Sequence, residues 1–164
     1  MGYKIIPIPG VGRPEYSTAT TVPISPSYVA GITKVYYTGI INVSPGSWSV
    51  ILPEDRYENP FPRKDKILKL ETFVLSTDAD VLIKLQCFHV PYYYYQKFLK
   101  GEIDLITLIS NSYPFVTETG YQRIDAKPLL YPISYPDLLM VAFTNYSDAT
   151  RTMYFYWRGE EHGL

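Results

Sequence analysis

Cysteine is almost missing from this chain: Cys87 stands alone among 164 residues, and only His89 and His162 accompany it as soft metal ligands. One cysteine excludes an intramolecular disulfide, and so thin a supply of Cys and His excludes a zinc set built from several of them. A cupin-type enzyme, whose metal site wants several histidines, is disfavoured for the same reason, and no cofactor is expected. Net charge is also scarce. Fifteen Lys and Arg face sixteen Asp and Glu, a formal charge of −1, so no overall field gathers phosphate backbones and no direct nucleic-acid contact is expected. Long apolar runs are missing as well: no stretch reaches the roughly eighteen residues of a membrane-spanning helix, and the opening residues lack a signal-peptide pattern. Gly2 is followed by Ile6 where a myristoylation signal wants Ser or Thr. The reading is a chain neither exported nor membrane-spanning, for which the glycosylation patterns at Asn42 and Asn145 are chance matches.

Catalytic signatures are equally sparse. The "GVG" at 10–12 lacks the third glycine, the strand before and the helix after that a phosphate cradle needs. There is no G-x-S-x-G elbow. Cys87 and His89 are two apart on an expected strand and share a face, yet the thiol sits beside Leu85 and Phe88 with no third orienting group. The acids Asp78 and Asp80 flank a turn and Glu54 with Asp55 sits in a polar loop, places where isolated carboxylates satisfy backbone donors. The chain is read as not an enzyme.

Two residue types are plentiful: 17 tyrosines and 14 prolines. Tyrosine favours strands and amphipathic surfaces, and proline is barred from helix interiors, so together they point to an all-β chain with many corners. Residues 1–33 carry five prolines and four glycines, too irregular for a central strand, and read as an extended arm that wraps the domain's side or reaches a neighbour. Residues 34–164 form the domain. Eight runs rich in Val, Ile, Tyr and Thr follow: 34–42, 48–52, 66–75, 81–89, 103–110, 116–124, 137–145 and 151–158. The first two are expected to pair as a hairpin, and so are the last two across "YSDAT". In 66–75 the pattern places Leu68, Leu70, Thr72 and Val74 on one face; in 81–89 Val81, Ile83, Leu85 and Cys87 share one. In 151–158 Met153, Phe155 and Trp157 face opposite Thr152, Tyr154, Tyr156 and Arg158. Eight short strands with interleaved turns predict a two-sheet sandwich or single jelly roll with an N-terminal arm.

One stretch competes as helix. In "VPYYYYQKFLK", residues 90–100, Pro91 suits a first helical position, Lys97 and Lys100 suit the last turn and Gly101 supplies a stop. One short helix is predicted there, with Tyr92, Tyr95, Phe98 and Leu99 as its stripe; the competing reading runs the preceding strand through the proline. Tyrosines scattered over the whole chain argue for contact surfaces rather than one pocket, so Tyr92, Tyr93, Tyr94, Tyr95 and Lys97, with Tyr154 and Tyr156 of the last strand, are the candidate protein-interface residues. Stacking on sugars or bases is the alternative use of such rings.

The arm from Met1 to Thr33, the strands "KILKLETFVL" and "VLIKLQCFH", expected to pair, and the terminal pair "DLLMVAFTN" and "RTMYFYWR" together resemble the single jelly-roll, β-barrel capsid proteins of tailless icosahedral viruses. They are similar in particular to the small major capsid protein of thermophilic, membrane-containing tailless bacteriophages. The resemblance implies a virion structural role: a subunit made in the host cytoplasm that forms a homo-oligomer, most simply a homodimer, with a second capsid protein as partner and a viral membrane as neighbour. No catalytic residue comes with it. The alternative is a carbohydrate-binding sandwich, lectin-like or a tail-fibre domain. Two or three coplanar rings in one concavity would favour the sugar module, and apolar patches on opposite sides would favour the shell subunit.

Overall fold

The computed structural model describes residues 2–7, 28–29, 32–54 and 61–163. The described residues form eleven strands and two helices: β1 (Gly2–Pro7), β2 (Tyr28–Val29), β3 (Ile32–Val43), β4 (Trp48–Glu54), β5 (Lys66–Thr77), β6 (Leu82–Val90), α1 (Tyr92–Leu99), α2 (Leu105–Ser110), β7 (Tyr113–Tyr121), β8 (Arg123–Ala126), β9 (Tyr131–Ser134), β10 (Leu138–Asn145) and β11 (Arg151–Gly163). Two antiparallel sheets face each other. The first runs β1-β4-β10-β6-β7; the second runs β2-β3-β11-β5-β8, with β9 pairing β5 further along the edge that β8 occupies.

Set aside the short additions β1, β2 and β9, and the order is β4-β10-β6-β7 against β3-β11-β5-β8. Consecutive strands change sheets at every connection except β6 to β7, which is the double Greek-key winding of a jelly roll. The sheets stay open and form no closed barrel. The alternation of apolar residues therefore reports one shared interior. The expected hairpins do not exist: 34–42 and 48–52, like 137–145 and 151–158, lie in opposite sheets, as do the runs 66–75 and 81–89. Short turns with Pro-Gly or Ser-Asp look the same to the sequence whether they return a strand to its neighbour or carry it across the core.

The interior between the sheets is rich in aromatic rings, in two neighbouring groups. Tyr37 stacks on Trp157 at 4.4 Å, and Phe61 meets both rings edge-on. Phe73, Phe143 and Phe155 form the second group, with centroids 5.4–6.3 Å apart. Cys87 is fully buried among this apolar set, and burial pushes its thiol well above the usual range, so it packs as a small hydrophobe. The faces expected for β6 and β11 are those observed: Ile83, Leu85 and Cys87 point in with Val81 against them, and so do Met153, Phe155 and Trp157.

In β5 the expected face fails after Leu70. Arg158 pairs Thr72 while Gly159 pairs Leu70, so Glu71 is an extra residue, a β-bulge that turns Phe73 and Leu75 inward and Thr72 and Val74 outward. The run 116–124 is likewise broken, at Gln122, whose φ of 62° ends β7 and starts β8 in the other sheet. The helix at 92–99 forms as expected, but 103–110 yields a second helix instead of a strand. Asp104 accepts a hydrogen bond from the Thr107 N–H at 2.7 Å, an N-cap, and Leu105 and Leu108 are buried at helical spacing. These two helices cover the outer face of the first sheet, where Val50, Phe88, Val90, Leu138, Met140 and Ala142 form a second apolar layer with Tyr95 and Leu108. Of the expected arm, β1 extends the first sheet beside β4 and β2 extends the second beside β3; residues 8–27 of that arm lie outside the described residues.

Candidate interaction site

While helices cover the first sheet, the outward face of the second sheet carries an apolar and an ionic zone side by side. Register fixes its rows across β3, β11 and β5. Ile40, Tyr154 and Ser76 form one row, Thr38, Tyr156 and Val74 the next, then Tyr36, Arg158 and Thr72, then Lys34, Glu160 and Lys69. The first two rows are largely apolar and line a groove of about 380 Å³. Its floor passes Gly39, which pairs Phe155 on β11. A Cβ on Gly39 would stand 2.3 Å from Phe155 Cζ, so the ring occupies the space on the inner side where a side chain would go.

The later rows are ionic. Glu71, thrown out by the bulge, bonds Lys34 at 3.1 Å and forms an ion pair with Arg158, Nε to Oε2 2.9 Å, without hydrogen-bond alignment, and Lys34 also bonds Glu160, which accepts from His162 at 2.9 Å. The Lys34 ammonium holds the Glu160 carboxyl down to about 2, against the opposing effect of partial burial, with His162 adding to the lowering. At the end of this ladder Glu161 points inward and is fully buried. It accepts from the Arg63 backbone N–H at 3.0 Å and from Arg63 Nε at 2.7 Å, tying the segment before β5 to β11.

The tyrosines of α1 separate by environment. Tyr93 is exposed, with its ring edge-on to Tyr94 at 5.2 Å and Lys97 Nζ 4.8 Å above it. Tyr92 is also exposed. Tyr95 is only 4% exposed and packs with half-buried Tyr94 and Phe98 against the first sheet. The inward stripe is thus Tyr94, Tyr95 and Phe98, not the expected set with Tyr92 and Leu99, because the axis of α1 follows its packing on Phe88 and Leu138 rather than the midpoint of its apolar residues. Tyr95 is a core residue and leaves the interface set. Tyr154 and Tyr156 do face outward, in the groove, some distance in the fold from α1: the seven candidate residues do not form one site.

His89 has no free nitrogen for a Cys–His pair. Its Nε2 lies 2.8 Å from Asp137 Oδ2 and its Nδ1 3.1 Å from the Tyr131 hydroxyl, while Asp137 Oδ1 accepts the Tyr92 N–H at 2.9 Å. Asp137 thereby joins β6, β10 and the first turn of α1. Among the described residues no group of three or more His, Cys, Asp or Glu side chains is placed to hold a metal ion. Asn145 is fully buried and uses every polar position, donating to the Val43 and Ala149 carbonyls and accepting from the Ser147 N–H and hydroxyl. It is no glycan acceptor in the folded chain.

No protein-family model and no curated protein matches this sequence. Ile40, Val74, Thr38 and Ser76 escape a reading by residue type because only cross-strand register brings them beside Tyr154 and Tyr156. Leu129 and Leu130, exposed in a turn, also escape it, although "KPLLYP" sets an apolar pair between two prolines, a signal visible in the sequence.

Proposed function

We propose that the chain is a structural subunit of a viral shell, a single jelly-roll capsid protein that self-associates, with a second capsid protein and the viral membrane as neighbours in the virion. The observation that carries this reading is an apolar groove on the outer face of a jelly-roll sheet, in a molecule whose other exposed tyrosines lie elsewhere. Jelly rolls serve both shells and lectins, so the placement of rings weighs more than the fold. Tyr92 and Tyr93 stand on α1 over the first sheet, Tyr113 and Tyr121 on β7 at its edge, and Tyr154 on the opposite sheet. Contact surfaces on several sides suit a subunit that meets several neighbours. The role is mechanical and needs no catalytic group.

One observation favours the sugar-binding reading: Tyr154 and Tyr156 share a concavity. Light scattering after size exclusion, with electron microscopy of concentrated protein, separates the two. Concentration-dependent oligomers or curved assemblies support the shell subunit; a monomer at every concentration that binds immobilised glycans replaces it with the lectin.

A further inference from the structure

The turn between β8 and β9 combines two costs that stability does not explain. Tyr131 N–H bonds the Pro128 carbonyl at 3.1 Å, closing a tight turn with Leu129 and Leu130 at its centre, and both have positive φ, 53° and 57°. Positive φ at both central residues is the condition of a type I′ turn, a place for Asn-Gly; leucine there is strained by its Cβ. The strain secures no burial. Leu129 is 93% exposed and Leu130 45% exposed. Two leucines held out on a rigid turn make an apolar prong, projecting from the edge of the second sheet beside the Glu71 bulge, since Ala126 pairs Phe73 and Tyr131 pairs Leu70.

The same molecule carries the complementary hole. The groove lined by Thr38, Ile40, Val74, Ser76, Tyr154 and Tyr156 holds about 380 Å³. An apolar cavity of roughly 150 Å³ takes benzene, so this one has room for two isobutyl groups. We infer that the Leu129–Leu130 turn of one copy seats in the outer-face groove of the next copy; this rests on the shell reading above and names its contact. Prong and groove are different patches, so the contact is head-to-tail, and repetition closes a ring or extends a lattice. The charges nearest the prong, Lys127 and the Arg123–Asp125 pair, do not choose between a second copy and a lipid surface, so vesicles enter the test below.

Two variants test the contact: Leu129→Asp with Leu130→Asp removes the prong, and Ile40→Asp spoils the groove while changing an outward residue. Far-UV circular dichroism and melting confirm that each remains folded. Sedimentation of each alone is expected to show association weakened about tenfold or more per leucine removed or groove blocked. An equimolar mixture is expected to form a one-to-one pair that grows no further, because only one intact prong and one intact groove remain to meet. If the prong variant assembles like the wild type, or if the mixture stays monomeric, this contact is wrong and the shell reading survives on other surfaces. A wild type that is monomeric when concentrated overturns both. So does a monomeric wild type that pellets with phosphatidylcholine–phosphatidylglycerol vesicles while the prong variant does not.

Discussion

Gly39 and Asn145 show how single residues set this surface. Gly39→Ala places a methyl against the Phe155 ring, which is held by Phe73 and Phe143, and should cost about 1–3 kcal/mol as overpacking, read as a lower denaturation midpoint. Asn145→Ala strips a buried side chain of four hydrogen bonds and takes its donor from the Val43 carbonyl, while Ala149 keeps the Ser147 hydroxyl, a loss of about 2–4 kcal/mol in chemical denaturation. Leu129→Asn moves the opposite way: asparagine tolerates positive φ, so this variant should melt a degree or more higher than the wild type. A residue whose replacement stabilises the folded chain is not there for stability. At this scale the sequence was legible where alternation was unbroken, as in β6 and β11, and illegible at Glu71, because a bulge inserts one residue without changing composition.

Among the elements, α1 was readable from Pro91 and Gly101, whereas α2 was misread. "IDLITLIS" is rich in β-branched residues, and tertiary packing overrode that preference once Asp104 capped the first turn and Leu105 and Leu108 found Phe88 and Met140. The contact set of "VPYYYYQKFLK" was only partly visible, since burial of Tyr95 depends on the crossing of α1 over a sheet whose strands come from distant sequence. Asp137 is the fastening between them. Asp137→Ala removes the acceptor for the Tyr92 N–H and the partner of His89, and should cost about 1–2 kcal/mol; hydrogen exchange should rise at residues 92–95 more than in β10. Uniformly unchanged exchange would show that apolar packing alone seats α1.

At the scale of the whole molecule, the ionic rows bind three strands of the second sheet with charges from β3, β5 and β11. The folded Glu160 carboxyl sits at about 2, below its ordinary 4.5, so its contribution is fully present above about 4.5 and drains away as pH falls toward 2. Acid should therefore loosen the second sheet, and Glu160→Gln should flatten the part of the stability-against-pH curve below 4.5 while leaving the shape near neutrality alone. The winding of the sheets was the least legible level of all. Eight strand-like runs implied a sandwich, but which runs are neighbours depends on corners that cross the core, and a corner and a hairpin share the same turn residues.

The central position of β11 in the second sheet bears on timing. Among the described residues the β3 and β5 backbones meet in the sheet through β11 alone, and partners such as Lys34 and Glu160 are 126 residues apart, so this sheet is not assembled progressively along the sequence. Until residues 151–163 arrive, β3 and β5 are loose edges and the groove has neither its tyrosines nor its middle strand. The groove therefore comes into being in the same step that joins β3 to β5 through β11.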